Sequence, residues 1–439
     1  MTPDKKAVDA FLERHGMHPD AIGLEATVGH IIEEMTKGLE GAPSSLAMIP
    51  TYVEVDAAIP AEQRVVVLDA GGTNLRAALV SFSGEGKPVI ENFSKHPMPG
   101  TRGEEVGREE FFDSLAGLVE PLIGQGGKIG FCFSYPTEIF PDRDGKLIHW
   151  SKEIKAPEVE GRMIGSDLRV ALAERGAADP PDVVILNDTV ATLLTGKASR
   201  KGREWGGYVG FILGTGTNTC YVEANVAIGK TPDLEPAHSQ IINTESGNYA
   251  CPIRGTADEM LGALTAKPET YWLEKMLSGA YFGALTTQTL ALAAGDGLLS
   301  KPFADALANL GEISTKDADN YAHNPADGAS NALVAAVKAA GRGADAARTW
   351  HLVDGLLERA AKLTAANLAA AVLKGPSPDG PLSPFCLTID GTTYYRYYRF
   401  QNRVESFLRP FLTERGKYYE TVAVEDAPLI GAAVAALTN

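Results

Sequence analysis

The sequence predicts an α/β chain built as two similar units around a cleft, and three observations carry that prediction. At 439 residues the chain is too long for one ordinary core. Two strand–glycine turn–strand stretches occur, at residues 65–82 (VVVLDAGGTNLRAALVSF) and 208–226. Each carries Gly-Thr-Asn after an apolar strand, as LDAGGTN and LGTGTN, with Gly72 and Gly216 standing 144 positions apart. Between and beyond them, short apolar strands alternate with segments of helical spacing. Two hairpin-led sheets with their helices would then meet at a cleft holding an anion between the two turns. Chance similarity of two short Gly-Thr turns is the alternative.

Taken in order, residues 4–40 show helical spacing, with Ile22, Leu24, Val28, Ile31, Ile32 and Met35 separated by charges. Residues 45–52 lead into the first hairpin. Residues 84–107, glycine-rich and charged, predict a strand with loops, and 108–123 an amphipathic helix. Residues 128–134 form a buried strand that Pro136 ends, because proline cannot join a ladder. A turn at 142–146, His149-Trp150-Ser151-Lys152 and a helix at 165–175 follow. Residues 183–186 are a strand stopping at Asn187-Asp188, and 189–198 a helix. After the second hairpin, 260–299 are largely helical and the alanine-rich 325–350 alternate helix with loop. Residues 356–373 are a core helix and not a membrane span, since Glu358, Arg359 and Lys362 interrupt it. Residues 385–398 (FCLTIDGTTYYRYY) predict a third hairpin, and 429–437 a closing small-residue helix.

Composition narrows the function. Apolar residues make up 44% and charged residues 22%, as in a soluble globular protein. A formal charge of −16 argues against broad contact with nucleic acid or an anionic membrane, though not against a nucleotide. Cys132, Cys220, Cys251 and Cys386 lie far apart with no C-x-x-C pair, as expected of reduced thiols in a cytoplasmic protein. The first twenty residues are charged and lack an apolar stretch, so no signal peptide is expected.

Several short motifs point to chemistry. In the first turn, Gly71 and Gly72 let the backbone approach a bulky anion, while Thr73, Asn74 and the turn N–H groups can donate to it. Asp69 repels a phosphate and suits a hydrated Mg²⁺ brought with it. An ordinary hairpin would carry the same turn. Asn187-Asp188-Thr189 opens a helix, where Asp or Thr is a preferred cap; Asp188 could equally be a general base toward a substrate hydroxyl. Lys152 is either a solvated surface charge or a neutraliser of a transferred phosphoryl group. Glu245 and Glu274 read locally as exposed carboxylates, yet paired acids can also grip a polyhydroxylated ligand. Residues 224–231 (ANVAIGKT) fit a Walker A loop poorly, lacking its interior glycines. Thr219 stands where a dinucleotide fingerprint needs its third glycine, and no His/Cys/Asp cluster has zinc-ligand spacing.

Together these stretches resemble the hexokinase family of the actin-like sugar-kinase superfamily, over nearly the whole chain. Residues 68–76 resemble the first phosphate motif and 214–218 the second. GFCFSYP at 130–136, continued at 150–155 and 159–161, resembles the sugar-site signature. VILNDTVATL at 184–193 resembles the catalytic segment, while LEKMLSG at 273–279 and residues 389–392 resemble the later sugar and adenosine segments. The resemblance implies two actin-like, ribonuclease-H-like domains flanking a deep cleft. The small domain would span 65–186 plus the C-terminal helix 427–439, and the large one 1–64 and 187–426.

The resemblance also implies transfer of the γ-phosphoryl of MgATP to the 6-hydroxyl of a hexose, glucose first, with sugar-driven closure keeping water out. Asp188 would be the base and Lys152 its charge-stabilising or hydroxyl-holding partner. Ser134, Ser151, Asn187, Asn218, Glu245 and Glu274 would bind the sugar. Asp69, Gly71, Gly72, Thr73, Asn74, Arg76, Gly214 and Thr215 would serve the phosphates and Mg²⁺, with Gly391 and Thr392 nearer the nucleoside. The sugar and ATP would be its partners, with no nucleic acid or membrane, and the protein a monomer or homodimer. The chain departs from the family where Ser246 replaces the aromatic usual after the glutamate, followed by Asn248-Tyr249-Ala250, and where Ser151 replaces a common threonine. The alternatives are a kinase for fructose, mannose or an amino sugar, a non-catalytic glucose sensor, and an actin-like filament ATPase.

Overall fold

The computed structural model of the chain describes residues 2–150, 154–199, 204–326, 331–341, 343–376 and 380–439. Its strands, in chain order, are β1 (Ile49–Pro50), β2 (Val65–Ala70), β3 (Asn74–Phe82), β4 (Pro88–Pro97), β5 (Ile129–Phe133), β6 (Thr137–Ile139) and β7 (Gly145–Leu147). They continue as β8 (Val183–Leu186), β9 (Gly207–Leu213), β10 (Thr217–Ala224), β11 (Ser239–Asn243), β12 (Phe385–Asp390) and β13 (Tyr419–Val422).

Two sheets repeat one topology. The first runs β4-β3-β2-β5-β8, and the second β11-β10-β9-β12-β13 with β1 added outside β11. In each, an antiparallel meander of three strands (β2-β3-β4 or β9-β10-β11) is extended by two parallel strands on the side of its first member. In the first sheet the parallel strands β5 and β8 are continuous apolar runs, as burial on both faces requires, whereas the second sheet's edge strand β13 (YETV) is not. The repeat is therefore real, and both Gly-Thr-Asn turns occupy the same place, the first hairpin of a sheet. The fold is α/β with two actin-like domains.

The third hairpin does not form. β12 runs parallel to β9 and β13, and after Asp390 the chain enters the short helix Thr392–Arg396. Gly391, at φ 107°, makes that turn by a route a side chain would resist. Two amphipathic helices, Pro3–Arg14 and Leu24–Glu40, occupy the N-terminal stretch, joined through a short 3₁₀ turn at Pro19–Ala21. The predicted core helix is the middle of a longer one, Gly343–Lys374, whose inner face is mostly alanine and leucine.

Three apolar clusters hold these layers. One lies among the helices behind the second sheet, and one lies between the first sheet and helices Arg108–Ile123 and Ile164–Glu174. The third sits between the sheets, where helix Asp188–Ala198 meets the C-terminal helix Ala427–Thr438. That contact needs small residues: a Cβ on Gly431 would overlap the backbone of Ala191, and one on Gly130 the backbone of Ala432. The helix that opens at Asp188 is thereby fixed between the two sheets.

Candidate active site

The first turn is locked from beside. Gly72, at φ 104°, reverses the chain between β2 and β3. The Tyr135 hydroxyl donates to the Gly72 carbonyl (3.0 Å) and accepts from its N–H (3.3 Å). Tyr135 itself packs edge-on against Trp150, with ring centroids 4.8 Å apart. Thr73 and Asn74 stay exposed, with the Asn74 amide donating to Thr73 Oγ1 at 3.3 Å.

Asp69 sits at the end of β2, 1% exposed, paired in register with Arg76 on β3 and Cys132 on β5. Arg76 Nε and Nη2 approach the same oxygen, Oδ2, at 2.6 and 2.5 Å. Arg76 Nη1 is also 3.5 Å from Asp426. The arginine is thus engaged by carboxylates, a pairing that its expected place beside the phosphates did not include. Among the described residues the other oxygen, Oδ1, has no hydrogen-bond partner. It lies beneath the turn, 3.5 Å from where a side chain on Gly71 would begin. Burial raises the Asp69 carboxyl above its ordinary range, Arg76 opposes the rise, and the charge of Asp188 adds to it. A buried carboxylate oxygen without a donor, under a glycine turn, fits a hydrated cation. Among the described residues no group of three or more His, Cys, Asp or Glu is placed to hold a metal directly.

The second turn is braced by its neighbours. The Gly214 N–H donates to the Gly216 carbonyl (2.9 Å), and the Gly214 carbonyl accepts from Gly279 N–H and Thr393 Oγ1, both at 2.8 Å. The Thr215 carbonyl accepts from Ala280 N–H at 3.0 Å. Gly391 and the exposed Thr392 lie beside it, the Gly391 Cα 3.7 Å from where a Gly214 side chain would begin.

Between the turns stands Asp188. The cap of its helix is Asn187, whose Oδ1 accepts from Thr189 N–H at 2.8 Å, and Asp188 is the first helical residue. Capping therefore falls to the asparagine, leaving its amide N–H₂ free of that task. Asp188 gains instead from the positive end of the helix dipole. Its charge raises Asp69 on the first sheet and Glu245 beside the second. Burial foremost, then Asp69 and Asp188, holds the Cys132 thiol neutral between them.

Glu245, Asn243 and Asn218 form a hydrogen-bonded wall. Asn218 Nδ2 donates to Asn243 Oδ1 (2.7 Å) and Glu245 Oε1 (3.2 Å), and Asn243 Nδ2 donates to the same Glu245 oxygen (2.8 Å). The other Asn218 atom, Oδ1, accepts from the N–H groups of Thr219 and Ser246 at 2.7 and 3.1 Å. Glu274 joins from the helix Trp272–Leu277, its Oε2 accepting from Thr217 N–H at 3.0 Å. Burial raises both glutamates above their ordinary value; Asp188 and Glu274 push Glu245 further, while Asn243 and Asn218 pull it back. Neither is the exposed carboxylate that local context allows. Ser134 follows β5, half-buried, its N–H on the Ala70 carbonyl at 3.2 Å. Ser151 and Lys152 lie outside the described residues.

Sequence reasoning missed Asn243 and Tyr135. Asn243 ends β11 two residues before Glu245, a polar end to an apolar strand that could have marked it. Ser246 is 1% exposed and bonds Thr219 Oγ1 (3.1 Å), which also accepts from Asn367 Nδ2 (2.6 Å). It lies behind the wall, supporting Asn218.

Models of the hexokinase family match residues 8–198 and 208–438. The chain is 30% identical to Hexokinase-1 of Oryza sativa subsp. japonica over 443 residues, spanning 92% of this chain and 86% of that protein. It is 27% identical to Hexokinase-1 of Schizosaccharomyces pombe over 446 residues, 94% of this chain and 86% of that protein. Among solved structures, the Schistosoma mansoni hexokinase complexed with glucose superposes with TM-score 0.75 at 22% identity, over 100% of both chains. A second hexokinase crystal structure gives TM-score 0.77 at 25% identity over 98% of each.

Proposed function

The chain belongs to the hexokinase family and is an ATP:hexose phosphotransferase; we propose that its acceptor is the 6-hydroxyl of glucose and its donor MgATP. The observation that carries this reading is the position of Asp188. It opens a helix between the two sheets and acts electrostatically both on Asp69 under the first glycine turn and on Glu245 in the carboxylate wall. A base is thereby set between a phosphate-holding half and a hydroxyl-gripping half.

In this reading Glu245, Glu274, Asn218 and Asn187 hold the sugar hydroxyls, with Ser134 on the opposite wall. Asp188 accepts the proton of the 6-hydroxyl as its oxygen bonds to the γ-phosphorus, and the bond to the β–γ bridging oxygen breaks to release ADP. The turns 71–74 and 214–215 offer N–H groups and hydroxyls to the phosphates. Lys152 is assigned by resemblance to the charge developing on the transferred group. Asp69, through its unpaired Oδ1, would hold the hydrated Mg²⁺ that screens phosphate charge when bound. Because the transition state is loose, positioning and charge stabilisation contribute more than proton removal. The product, a hexose 6-phosphate, suits entry into glycolysis.

The test is ADP release with MgATP across glucose, mannose, fructose, N-acetylglucosamine and no sugar, beside Asp188→Ala. Glucose-dependent turnover that falls by about 10² to 10⁴ in the variant is expected. A stronger response to another sugar would reassign the acceptor, glucose binding without turnover would favour a sensor, and sugar-independent ADP release would remove the sugar-site roles.

A further inference from the structure

The carboxylate wall is assembled from segments far apart in the chain, and two of its members stand on backbone that is hard to hold. Glu245 itself adopts φ 55°, ψ 46°, and Tyr271, which precedes the helix bearing Glu274, adopts φ 59°, ψ 37°. Neither is glycine, asparagine or aspartate, so each left-handed residue must be imposed by its surroundings. The side chain placed to impose the second is Asn248. Its Oδ1 accepts from the Tyr271 N–H at 2.9 Å, and its Nδ2 donates to the Ser45 carbonyl at 3.0 Å. Its own N–H donates to the Glu245 carbonyl at 3.0 Å, closing the turn that carries Glu245.

Both ends of this strap are anchored. Ser45 is held by Glu34, whose Oε2 accepts from the Ser45 N–H at 2.8 Å and hydroxyl at 2.9 Å. Beyond Tyr271, Trp272 is 3% exposed, with the Arg254 guanidinium 4.4 Å from its ring centroid and the Lys275 ammonium at 4.8 Å. Asn248 is therefore the amide that joins the Ser45 loop, the Glu245 turn and the Glu274 helix.

We propose that Asn248 is a positioning residue for the acceptor sugar: it touches no substrate itself but fixes the separation of the Glu245 and Glu274 carboxylates. Only an amide of this length offers one acceptor and one donor on opposite sides of a planar group; alanine offers neither and serine cannot span both. This deepens the hexose reading and rests on it.

The experiment compares wild type, Asn248→Ala and Asn248→Ser. The first readout is hydrogen exchange of the ligand-free protein, in a peptide covering Tyr271 to Leu277. Exchange there should speed at least tenfold in N248A, while the distant strand β2 keeps its wild-type rate. The second is steady-state kinetics with glucose and MgATP. The KM for glucose should rise about tenfold, with kcat and the KM for MgATP within twofold of wild type. N248S, which retains one polar contact, should fall between, and it reads the same quantities if N248A folds poorly. Unchanged exchange at 271–277 overturns the inference, as does a loss that spreads equally over glucose KM, MgATP KM and kcat. Wild-type protein that phosphorylates no sugar sinks the hexose reading instead, and the exchange measurement still decides whether Asn248 holds the Glu274 helix.

Discussion

Gly216 ties the second turn to Glu274, a proposed sugar ligand, and replacing it with alanine tests that link. A Cβ there would stand 2.7 Å from Glu274 Oε2, whereas ordinary contact begins at 3.4 Å. The carboxylate must therefore retreat by about 0.7 Å. The retreat stretches the 3.0 Å bond that this oxygen accepts from Thr217 N–H. A hydrogen bond to a charged group contributes about 1.5–3 kcal/mol, so the KM for glucose should rise from roughly tenfold to over a hundredfold. Steady-state kinetics at saturating MgATP measures this. Gly214→Ala is the control, since its Cβ would meet only the Gly391 Cα, at 3.7 Å. In an Asn218-intact Glu274→Gln background, G216A should add much less than its single effect, because both changes act on one carboxylate. A wild-type glucose KM in G216A, or an equal loss in G214A, would refute the reasoning.

Two further outcomes follow from buried charge. Burial raises Glu245 and Glu274 above the ordinary 4.5, and in the proposed sugar-binding role the ionised forms are the ones that would accept hydroxyls. Their folded values lie above the unfolded ones, so their ionisation costs stability as pH rises through the folded values, and that cost vanishes on acidification. Sugar affinity runs the other way: calorimetric titration of glucose without nucleotide should show binding weakening as pH falls from 7 into the window just above 4.5. Invariant affinity down to 4.5 would contradict it. Separately, Arg359 and Asp258, 2% exposed each, pair at 2.6 and 3.2 Å in the helical core. Asp258→Asn leaves the guanidinium buried without its counter-charge and should lower stability by about 3–5 kcal/mol in urea unfolding, whereas replacing both with apolar residues should cost far less.

Much of the architecture was legible because its signals are local. The glycine turns, the burial of β5 and β8 and the helix starting at Asp188 each rest on residues adjacent in sequence. The repeat was legible too, since two Gly-Thr-Asn turns after apolar strands demand the same geometry twice. The segment 385–398 misled because an apolar strand followed by Asp-Gly-Thr-Thr has the composition of a hairpin. What decided otherwise was its partner. β12 is paired in parallel on both edges, with β9 on one side and β13 on the other, so no edge is left for an immediate antiparallel return.

At the site, residue types were readable where pairings were not. Arg76 looks from sequence like a phosphate ligand because it follows a phosphate turn; only the β2–β3 register puts it opposite Asp69. That pairing changes its chemistry. With both contacting nitrogens on Oδ2, Arg76 leaves Oδ1 as the one oxygen of Asp69 without a donor, and it offsets part of the rise that burial causes in the carboxyl. An Asp69 with one oxygen left unpaired has a lone-pair face to offer a hydrated cation. In the proposed reading the arginine would serve the phosphate side through the carboxylate, a role no spacing rule expresses because it depends on which oxygen is taken.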